Sequence, residues 1–370
     1  MPDTVEVVPY DPAWPRRFAV ERARLVAALG WLAAGGHVAR VEHVGSTSVP
    51  GLAAKPCVDV LVTAWPVPLP SAAVAALERL GYAYRGEHGI PGRDYFTKGP
   101  HHYHLHVVEP GSGFAADHLL FRDYLRAEPA AAARYASAKR ELAARYRDAR
   151  ERYQEGKGPV IAELLAAADR WYREEVGFAS LVRALRDVRD LPLPWWVSSG
   201  WALDLHLGRV TRLHHDVDLG LFRDDQLVAR AHLAARGWRF VAPHEGRLEP
   251  VPDATRLEPP RHQLHAHRQG EFLDLLLNER EGDAWRFRRD PRVTRARERL
   301  VLRSPDGLPY LAPEVALLFK SATSGGPSRP RDEADFDAVM AAGLEPERRR
   351  WLRDALAVYR PGHPWLARLT

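Results

Sequence analysis

The chain has 370 residues, of which 46% are apolar, and its 53 basic and 48 acidic side chains give a formal net charge of +5. This length predicts about two domains of roughly 150 residues, and the composition excludes disordered, fibrous and collagen-like classes. A single cysteine, no apolar run of roughly 18 residues and no basic-then-apolar N-terminal segment favour a cytoplasmic protein without a disulfide, membrane span or signal peptide.

The positive charge is carried almost entirely by arginine. Only five of the 53 basic residues are lysine: Lys55, Lys98, Lys139, Lys157 and Lys320. The arginines are dispersed among acids, with no run of five or six basic residues, which favours a solvated surface over a nucleic-acid partner. Because arginine is the usual basic residue in this chain, a lysine among closely spaced motif residues is a candidate functional residue. Lys55 and Lys320 are two such lysines.

The first half of the chain is predicted to contain strands and helices in alternation, followed by a helical block. A loop rich in Gly, Ser and Pro at 45–51 precedes a strand at 58–62, whose residues are β-branched and alternate in polarity. A short amphipathic helix is predicted at 71–80, and a strand at 101–109. Apolar residues three and four apart predict helices over 114–173, with a break where Gly and Pro occur together in the sequence GKGP.

The second half of the chain repeats this order of features. Its predicted elements are, in chain order, a helix at 178–188, a strand at 195–198, a helix at 200–207, a strand at 215–222, a helix at 224–236, a strand at 272–277, and helices at 313–322, 332–342 and 346–358. Both halves contain a Gly/Ser turn, an acidic strand, later strands and a helical end. We therefore predict an α+β protein with two tandem domains, 1–174 and 175–370, each a small mixed sheet flanked by helices with a helical C-terminal block.

Two aspartates on the predicted strand 215–222 suggest a metal site. The two-residue period of a strand puts Asp216 and Asp218 on one face, where their repulsion calls for a cation. Oxygen ligands of this kind suit Mg²⁺. Asp274, in the apolar segment FLDLLL, adds a third carboxylate that is costly to bury without a partner. We predict Asp216, Asp218 and Asp274 as catalytic metal ligands, and the alternative interpretation is that the first two are solvated turn acids.

A Ser-Gly turn opens the predicted helix at 200–207. The free backbone N–H groups at such a helix start suit a phosphate group. Ser199 and Gly200 lie sixteen to seventeen residues before Asp216, and this spacing makes the turn a candidate nucleotide-binding element.

The stretches 198–225 and 313–336 resemble the aminoglycoside and lincosamide nucleotidyltransferases, which share the DNA polymerase β-like fold. By this resemblance the phosphate-binding hG[GS] turn, the Mg²⁺-binding [DE]h[DE] pair and the third carboxylate fall on Ser199 and Gly200, on Asp216 and Asp218, and on Asp274. Ser199 stands where such sequences usually have Gly.

Lys320 also belongs to this resemblance. Together with Asp332 and Asp335, which follow the sequence SGGPSRPR, it resembles the family's K…(R/K)-D-x-x-D segment. The resemblance implies that Lys320 reaches the nucleotide phosphates. The alternative is a helix lysine whose stem lies along apolar surface.

The resemblance implies nucleotidyl transfer with Mg²⁺ as the metal. A hydroxyl of a small acceptor attacks the α-phosphorus of ATP or another NTP, receives the NMP (in the first instance AMP), and pyrophosphate leaves. Two metal ions held by the carboxylates would stabilise the attacking and leaving oxygens, while Asp274 would help to deprotonate the hydroxyl. An aminoglycoside-type antibiotic is an acceptor of this class. Its amines could meet an acidic rim formed by Glu245, Glu249, Asp253 and Glu258.

The segment HVGSTSVPGLAAKPCVDVLV at 43–62 closely resembles the GrpB family, whose hallmark is GST-x-VPGL-x-x-KP-x-x-D. The resemblance covers about residues 4–170 and implies another nucleotidyltransferase-like fold. Gly45 and Ser46 offer a turn for a phosphate group, with Lys55 nearby as a cation. We predict that these three residues bind a nucleotide.

A second, weaker metal site is predicted around Asp59. Leu61 occupies the place of the second acid, so two-metal catalysis is not expected here. His104 and His106 share one strand face, and together with Asp59 they would favour Zn²⁺ or Mn²⁺ over Mg²⁺. This domain could then bind a nucleotide or a phosphorylated ligand, or be purely structural.

Three functions stay open at this point. The first is nucleotidyl transfer to a small hydroxylated molecule by the second domain. The second keeps this chemistry but uses tRNA or protein as the acceptor, as toxin-type nucleotidyltransferases do. The third is a non-catalytic tandem protein that binds nucleotides or phosphorylated ligands. The acceptor, the nucleotide preference and the oligomeric state are not determined by the sequence.

Overall fold

The computed structural model describes residues 4–34, 40–99, 102–214, 216–244, 247–268, 271–322 and 328–370. The chain divides into two compact units. The first unit is Met1–Glu175 with His244–Pro250, and the second unit is Val176–Pro243 with Val251–Thr370. We keep the domain boundary at 174/175 as a proposal. No helix in the described part of the chain has both the length and the apolar character that a membrane crossing requires.

The first unit contains one five-stranded mixed sheet and a helical C-terminal block. Its elements are α1 (Ala13–Ala34), β1 (Arg40–Val44), β2 (Val58–Thr63), α2 (Ser71–Arg79), β3 (Tyr82–Tyr84), β4 (Arg93–Lys98), β5 (Tyr103–Val108), α3 (Gly113–Ala127), α4 (Pro129–Arg145) and α5 (Arg150–Trp171). The strand order is β1-β2-β5-β4-β3, in which β2 and β5 pair in parallel and the other neighbouring strands pair antiparallel. Apolar residues of the sheet and of α1 and α2 form the main core of this unit.

The predicted break in the helical block is wrong, because α5 runs without interruption through the GKGP sequence. Gly156 does not end the helix but lets it approach α4 closely: a Cβ at this position would lie 2.6 Å from Leu142 Cδ2. The breaks that separate α3, α4 and α5 lie elsewhere, near Glu128 and between Tyr146 and Ala149. Close packing of two helices has therefore outweighed the local preference of Gly and Pro.

The second half of the chain is built around a larger mixed sheet. Its elements are α6 (Gly177–Ala184), β6 (Trp195–Val197), α7 (Ser199–Leu207), β7 (Asp218–Phe222), α8 (Gln226–Ala234), β8 (Arg239–His244), β9 (Arg247–Pro250), β10 (Gln263–Arg268), β11 (Glu271–Glu281), β12 (Ala284–Arg286), β13 (Thr294–Ala296), β14 (Val301–Arg303), β15 (Pro309–Leu311), α9 (Pro313–Lys320), α10 (Pro330–Ala342), α11 (Pro346–Tyr359) and α12 (Trp365–Arg368). In the second unit the strand order is β14-β15-β6-β7-β11-β10-β8. The predicted fold class, α+β with mixed sheets flanked by helices, is confirmed.

Strands β6 and β7 pair antiparallel, and a Trp–Gly contact lies within this pair. Trp196 lies opposite Gly220 in the antiparallel register, and a Cβ on Gly220 would be 2.7 Å from Trp196 Cδ1. The indole therefore covers the strand directly. Gly220 lies two residues after Asp218, the first residue of β7. The contact with Trp196 therefore positions the end of the strand at which the predicted site begins.

Candidate active site

Parallel pairing of β7 with β11 brings two of the predicted carboxylates together. Asp218 lies opposite Asp274 in the register of these strands, and neighbouring strands are about 4.8 Å apart. The backbone N–H of Asp274 donates to the carbonyl oxygen of Val217 at 3.0 Å, and that of Ser198 donates to Asp218 O at 2.8 Å. Asp216 lies before the strand and is exposed, and His215, the predicted strand start, lies outside the described residues.

The carboxylates raise one another's proton affinity. Burial, followed by the negative charge of Asp216, raises the pKa of Asp218 to about 7, although a hydrogen bond from Ser199 and the charge of Lys320 oppose this shift. Burial, followed by the charge of Asp218, raises the pKa of Asp274 well above its usual range. Asp218 and Asp274, which do not both ionise favourably without a cation, form together with the nearby Asp216 a suitable site for a divalent metal ion.

The surroundings of Asp274 provide an independent test of whether a metal would fit. The Gln263 side-chain amide donates to Asp274 Oδ2. Asp274 Oδ1 is buried and has no hydrogen-bond partner among the described residues, and His265 Nε2 lies 4.0 Å away. A buried carboxylate oxygen without a donor is costly, and a cation shared with Asp218 would satisfy it. The donor set therefore fits a hard ion such as Mg²⁺.

The predicted phosphate turn starts α7 beside these acids. Ser199 has φ 57°, in the left-handed region that glycine occupies most easily. Its side chain forms a hydrogen bond with Asp218, which glycine could not provide. Gly200 is buried, and a Cβ on it would overlap the Arg212 guanidinium and lie 2.6 Å from His214 Cε1. The turn therefore requires glycine at position 200, because these two side chains lie directly against it.

Arg212 and His214 are held in place by a chain of polar contacts. The His214 ring donates from Nε2 to Asp204 Oδ2 at 2.6 Å and stacks on Trp201 with 4.2 Å between ring centroids. Burial lowers the pKa of His214 against the opposing effect of Asp204. This shift favours the neutral ring, whose Nδ1 accepts from Arg212 Nη1 at 3.2 Å. Arg212 also lies 3.4 Å from Asp335. Sequence reasoning missed this arrangement, although the spacing RLH before the acids could have suggested it.

Lys320 is buried between two carboxylates. Its Nζ lies 3.0 Å from Asp332 Oδ1 and 2.8 Å from Asp335 Oδ2. A nucleotide-binding role for Lys320 would therefore require exchange of one of these partners. Residues 323–327, which precede Asp332 in the chain, lie outside the described residues.

The acids of the predicted antibiotic rim do not belong to one unit. Glu249 belongs to the first unit and contacts His244, whereas Asp253 and Glu258 belong to the second. Glu245 lies outside the described residues. The rim remains a sequence prediction.

The first unit holds a separate site around Asp59. Gly45 precedes a 3₁₀ turn at Ser46–Ser48, has φ 69°, and would overlap Asp59 Oδ2 if it carried a Cβ. His104 Nδ1 donates to Asp59 Oδ1 at 3.1 Å across the parallel pair β2–β5. Burial disfavours the Asp59 carboxylate, but the hydrogen bond from His104 and the nearby histidines outweigh burial and lower its pKa.

A metal-ligand set in this unit includes a residue that sequence reasoning missed. Ligand atoms of Cys57, Asp59 and His104 all lie within 4.8 Å of one another. His106 is not part of this set in the described residues, and its Nδ1 instead lies 3.3 Å from Arg93 Nη1. Cys57 lies two residues before Asp59, so the strand period could have revealed it. A Cys/Asp/His set suits Zn²⁺.

Two lysines of the helical block also reach this site, and sequence reasoning assigned them no role. Lys139 of α4 donates to Ser46 Oγ at 2.9 Å. Lys157 of α5 and the predicted Lys55 line the same cavity as Gly45 and Asp59. The structure thus brings the predicted Gly45, Ser46 and Lys55 together around one cavity.

Comparison with known proteins gives different relatives for the two parts of the chain. Residues 4–167 match the family described as GrpB protein, and residues 180–249 match the family described as Aminoglycoside-2''-adenylyltransferase. A UPF0157 protein of Pseudomonas aeruginosa is 41% identical over 192 residues, which cover 50% of this chain and 76% of that protein. A 2''-aminoglycoside nucleotidyltransferase of Escherichia coli is 55% identical over 38 residues, which cover 10% of this chain and 20% of that protein. The crystal structure of GrpB from Enterococcus faecalis is 37% identical, covers 44% of this chain and 96% of its own, and has a TM-score of 0.41.

Proposed function

Because the chain belongs to the GrpB family through its first unit and carries an aminoglycoside-2''-adenylyltransferase domain in its second, we propose that the second unit is a metal-dependent nucleotidyltransferase. It transfers an NMP, with AMP as the first choice, from an NTP to a hydroxyl group of a small molecule. The observation that carries the proposal is the register of Asp218 with Asp274 beside Asp216, together with the buried Asp274 Oδ1, which has no hydrogen-bond partner in the described part of the chain.

Each residue of the site has a role in this chemistry. Asp216, Asp218 and Asp274 would hold Mg²⁺, which supplies charge stabilisation at the attacking and leaving oxygens when bound. Backbone N–H groups at the Ser199–Gly200 turn would donate to the nucleotide phosphates, as free N–H groups at helix starts do. In the ionised form that a nearby cation favours, Asp274 would accept the proton of the acceptor hydroxyl.

The nearby cations have a supporting role. Arg212 lies against the turn, where its positive charge would stabilise the negative charge of the triphosphate. Lys320 would act on the nucleotide directly or by holding Asp335, the partner of Arg212. We propose an aminoglycoside as the acceptor, because residues 180–249 match the family described as Aminoglycoside-2''-adenylyltransferase.

The first unit lacks the acids for this mechanism. The residue two positions after Asp59 on β2 is not an acid but Leu61, whose side chain is fully buried. We therefore assign catalysis to the second unit alone.

The test is pyrophosphate release by the full chain with Mg²⁺, each of the four NTPs, and aminoglycosides, lincosamides, tRNA or a protein acceptor in separate reactions. Asp218→Asn should reduce release by more than about 100-fold, since changes in residues that only support metal ligands already cost 10–100-fold. Asp59→Asn, the matched change in the first unit, should retain most of the activity. Equal loss in both variants, or no release with any acceptor, would overturn the proposal, and release with tRNA alone would replace the small-molecule acceptor.

A further inference from the structure

The first unit contains a cavity of about 950 Å³ that the proposed nucleotidyl transfer does not use. Its walls come from the Gly45–Ser46 turn, from β2 and β5, and from helices α4 and α5. Lys55, Lys139 and Lys157 all line it. Three of the five lysines in a chain with 53 basic residues therefore face one cavity.

The choice of lysine over arginine has a physical meaning here. Lysine carries a compact charge on a flexible stem, and it can be buried because it can lose its proton, whereas arginine stays charged. Arg93 and Arg150 also line the cavity, but in a chain that uses arginine almost everywhere else, three lysines around one space indicate a site that needs small, adjustable positive charges. A phosphate group is the ligand to which lysine binds as a point charge.

Lys139 and Lys157 are each fixed against the cavity wall. Lys139 is 2% exposed, donates to Ser46 Oγ and to the carbonyl oxygen of Ala53, and lies over the Tyr135 ring at 4.5 Å. Lys157 Nζ lies 4.9 Å from the centre of the Tyr153 ring. Within the described part of the chain, neither ammonium forms an ion pair with a carboxylate.

The charges around the cavity disfavour one another in the absence of a ligand. Burial, followed by the charges of Lys157 and Arg140, lowers the pKa of Lys139 to about 7. Burial also lowers the pKa of Lys157 to about 8, with Lys55 and Arg150 contributing in the same direction against the opposing charge of Asp59. An anion in the cavity would relieve this repulsion and keep the lysines protonated.

The negative charge of Asp59 offsets only part of the repulsion among the basic side chains, because the pKa values of Lys139 and Lys157 stay below the ordinary lysine value. Asp59 is engaged by His104. Asp117, Glu151 and Glu155 are exposed side chains at the cavity rim. The cavity therefore combines lysines with a glycine-containing turn.

We propose that this cavity binds a phosphorylated small molecule, whose phosphate group is held between the Gly45–Ser46 turn and Lys55, Lys139 and Lys157. A small molecule is favoured over a polymer because a volume of about 950 Å³ matches the upper range of small-ligand pockets, roughly 300–1,000 Å³. The site is independent of the nucleotidyl transfer proposed for the second unit.

The test is isothermal titration of the full chain with inorganic phosphate, pyrophosphate and AMP in the presence of EDTA, which suppresses metal-dependent binding of nucleotide in the second unit. Pyrophosphate or AMP should bind, and Lys157→Met should weaken that binding by about 10- to 100-fold, as expected for loss of one hydrogen bond to a charged group. Arg140→Met is the matched control. Arg140 is exposed on α4 next to Lys139 and does not line the cavity, and its replacement by methionine also removes one positive charge. This control should change the affinity by less than threefold.

Lys157→Met carries the test because Lys139 also holds Ser46 and Ala53, so its loss could unfold the turn. The proposal is overturned if none of the three probes binds to the wild-type chain, or if Arg140→Met weakens binding as much as Lys157→Met does. It is also overturned if Asp218→Asn abolishes binding of AMP while Lys157→Met leaves it intact, since the nucleotide would then occupy the second unit.

Discussion

Replacement of Lys320 by methionine separates a structural role of this lysine from a role in nucleotide binding. Lys320, Asp332 and Asp335 are 6%, 1% and 6% exposed, and the ammonium lies 3.0 and 2.8 Å from the two carboxylates. Methionine keeps most of the side-chain volume but removes the charge. Two buried carboxylates would then lose a shared partner.

The expected cost follows from these contacts. Removing one partner of a buried ion pair typically costs 3–5 kcal/mol, because the other charge stays buried without compensation. Here Asp332 keeps Arg329 at 2.7 Å, and Asp335 keeps Arg212 at 3.4 Å. We therefore expect a loss at the low end, about 3 kcal/mol, in the free energy of unfolding of the second unit.

Urea unfolding followed by tryptophan fluorescence measures this loss, since seven of the eleven tryptophans lie in the second unit. With a typical slope of about 2 kcal/mol per molar urea, the midpoint should fall by about 1.5 M. Arg353→Met is the control: its ion pair with Asp354 is exposed, so its loss should cost less than about 1 kcal/mol.

One result would refute this reasoning. If Lys320→Met leaves the midpoint within 0.3 M of wild type (about 0.6 kcal/mol at that slope) but raises the KM for the NTP, the buried ion pairs do not stabilise the fold. Lys320 would then act on the nucleotide, as the family resemblance implies.

Two further predictions concern the second unit. Gly200→Ala should lower kcat/KM at least about tenfold, because the added methyl group displaces Arg212 and His214 from the turn and overpacking costs about 1–3 kcal/mol. The control is Gly158→Ala, where a Cβ meets nothing within 4 Å, and this variant should keep the wild-type kcat/KM. Equal kcat/KM values for the two variants would contradict the packing argument. In EDTA, the melting temperature of the second unit should fall as the pH rises from about 4 to about 7. In the unfolded chain Asp218 loses its proton near the ordinary aspartate pKa of about 3.9, whereas in the folded chain its pKa is about 7. Between these values ionisation favours the unfolded chain, so stability is lost as the pH rises. Asp218→Asn should reduce this fall and Mg²⁺ should oppose it; an identical pH dependence in wild type and variant would exclude Asp218 as the source.

Local sequence determined the parts of this protein that depend on short-range geometry. The two-residue period of a strand led to the prediction of Asp216 and Asp218, although Asp216 lies before β7. An acid within an apolar run led to Asp274, and turn residues led to Gly45 and Gly200. These patterns are readable because backbone period and turn conformation are set by near neighbours in the chain. The same patterns supported the prediction of two α+β halves.

Only the tertiary structure decided which of these residues meet. The parallel register of β7 and β11 put Asp274 beside Asp218, and the packing of α4 and α5 brought Lys139 and Lys157 to a turn about a hundred residues earlier in the chain. Strand register and helix packing depend on contacts between distant segments, which no local pattern encodes. For the same reason the sequence named Lys320 as a candidate, but only the fold showed that two buried carboxylates hold it.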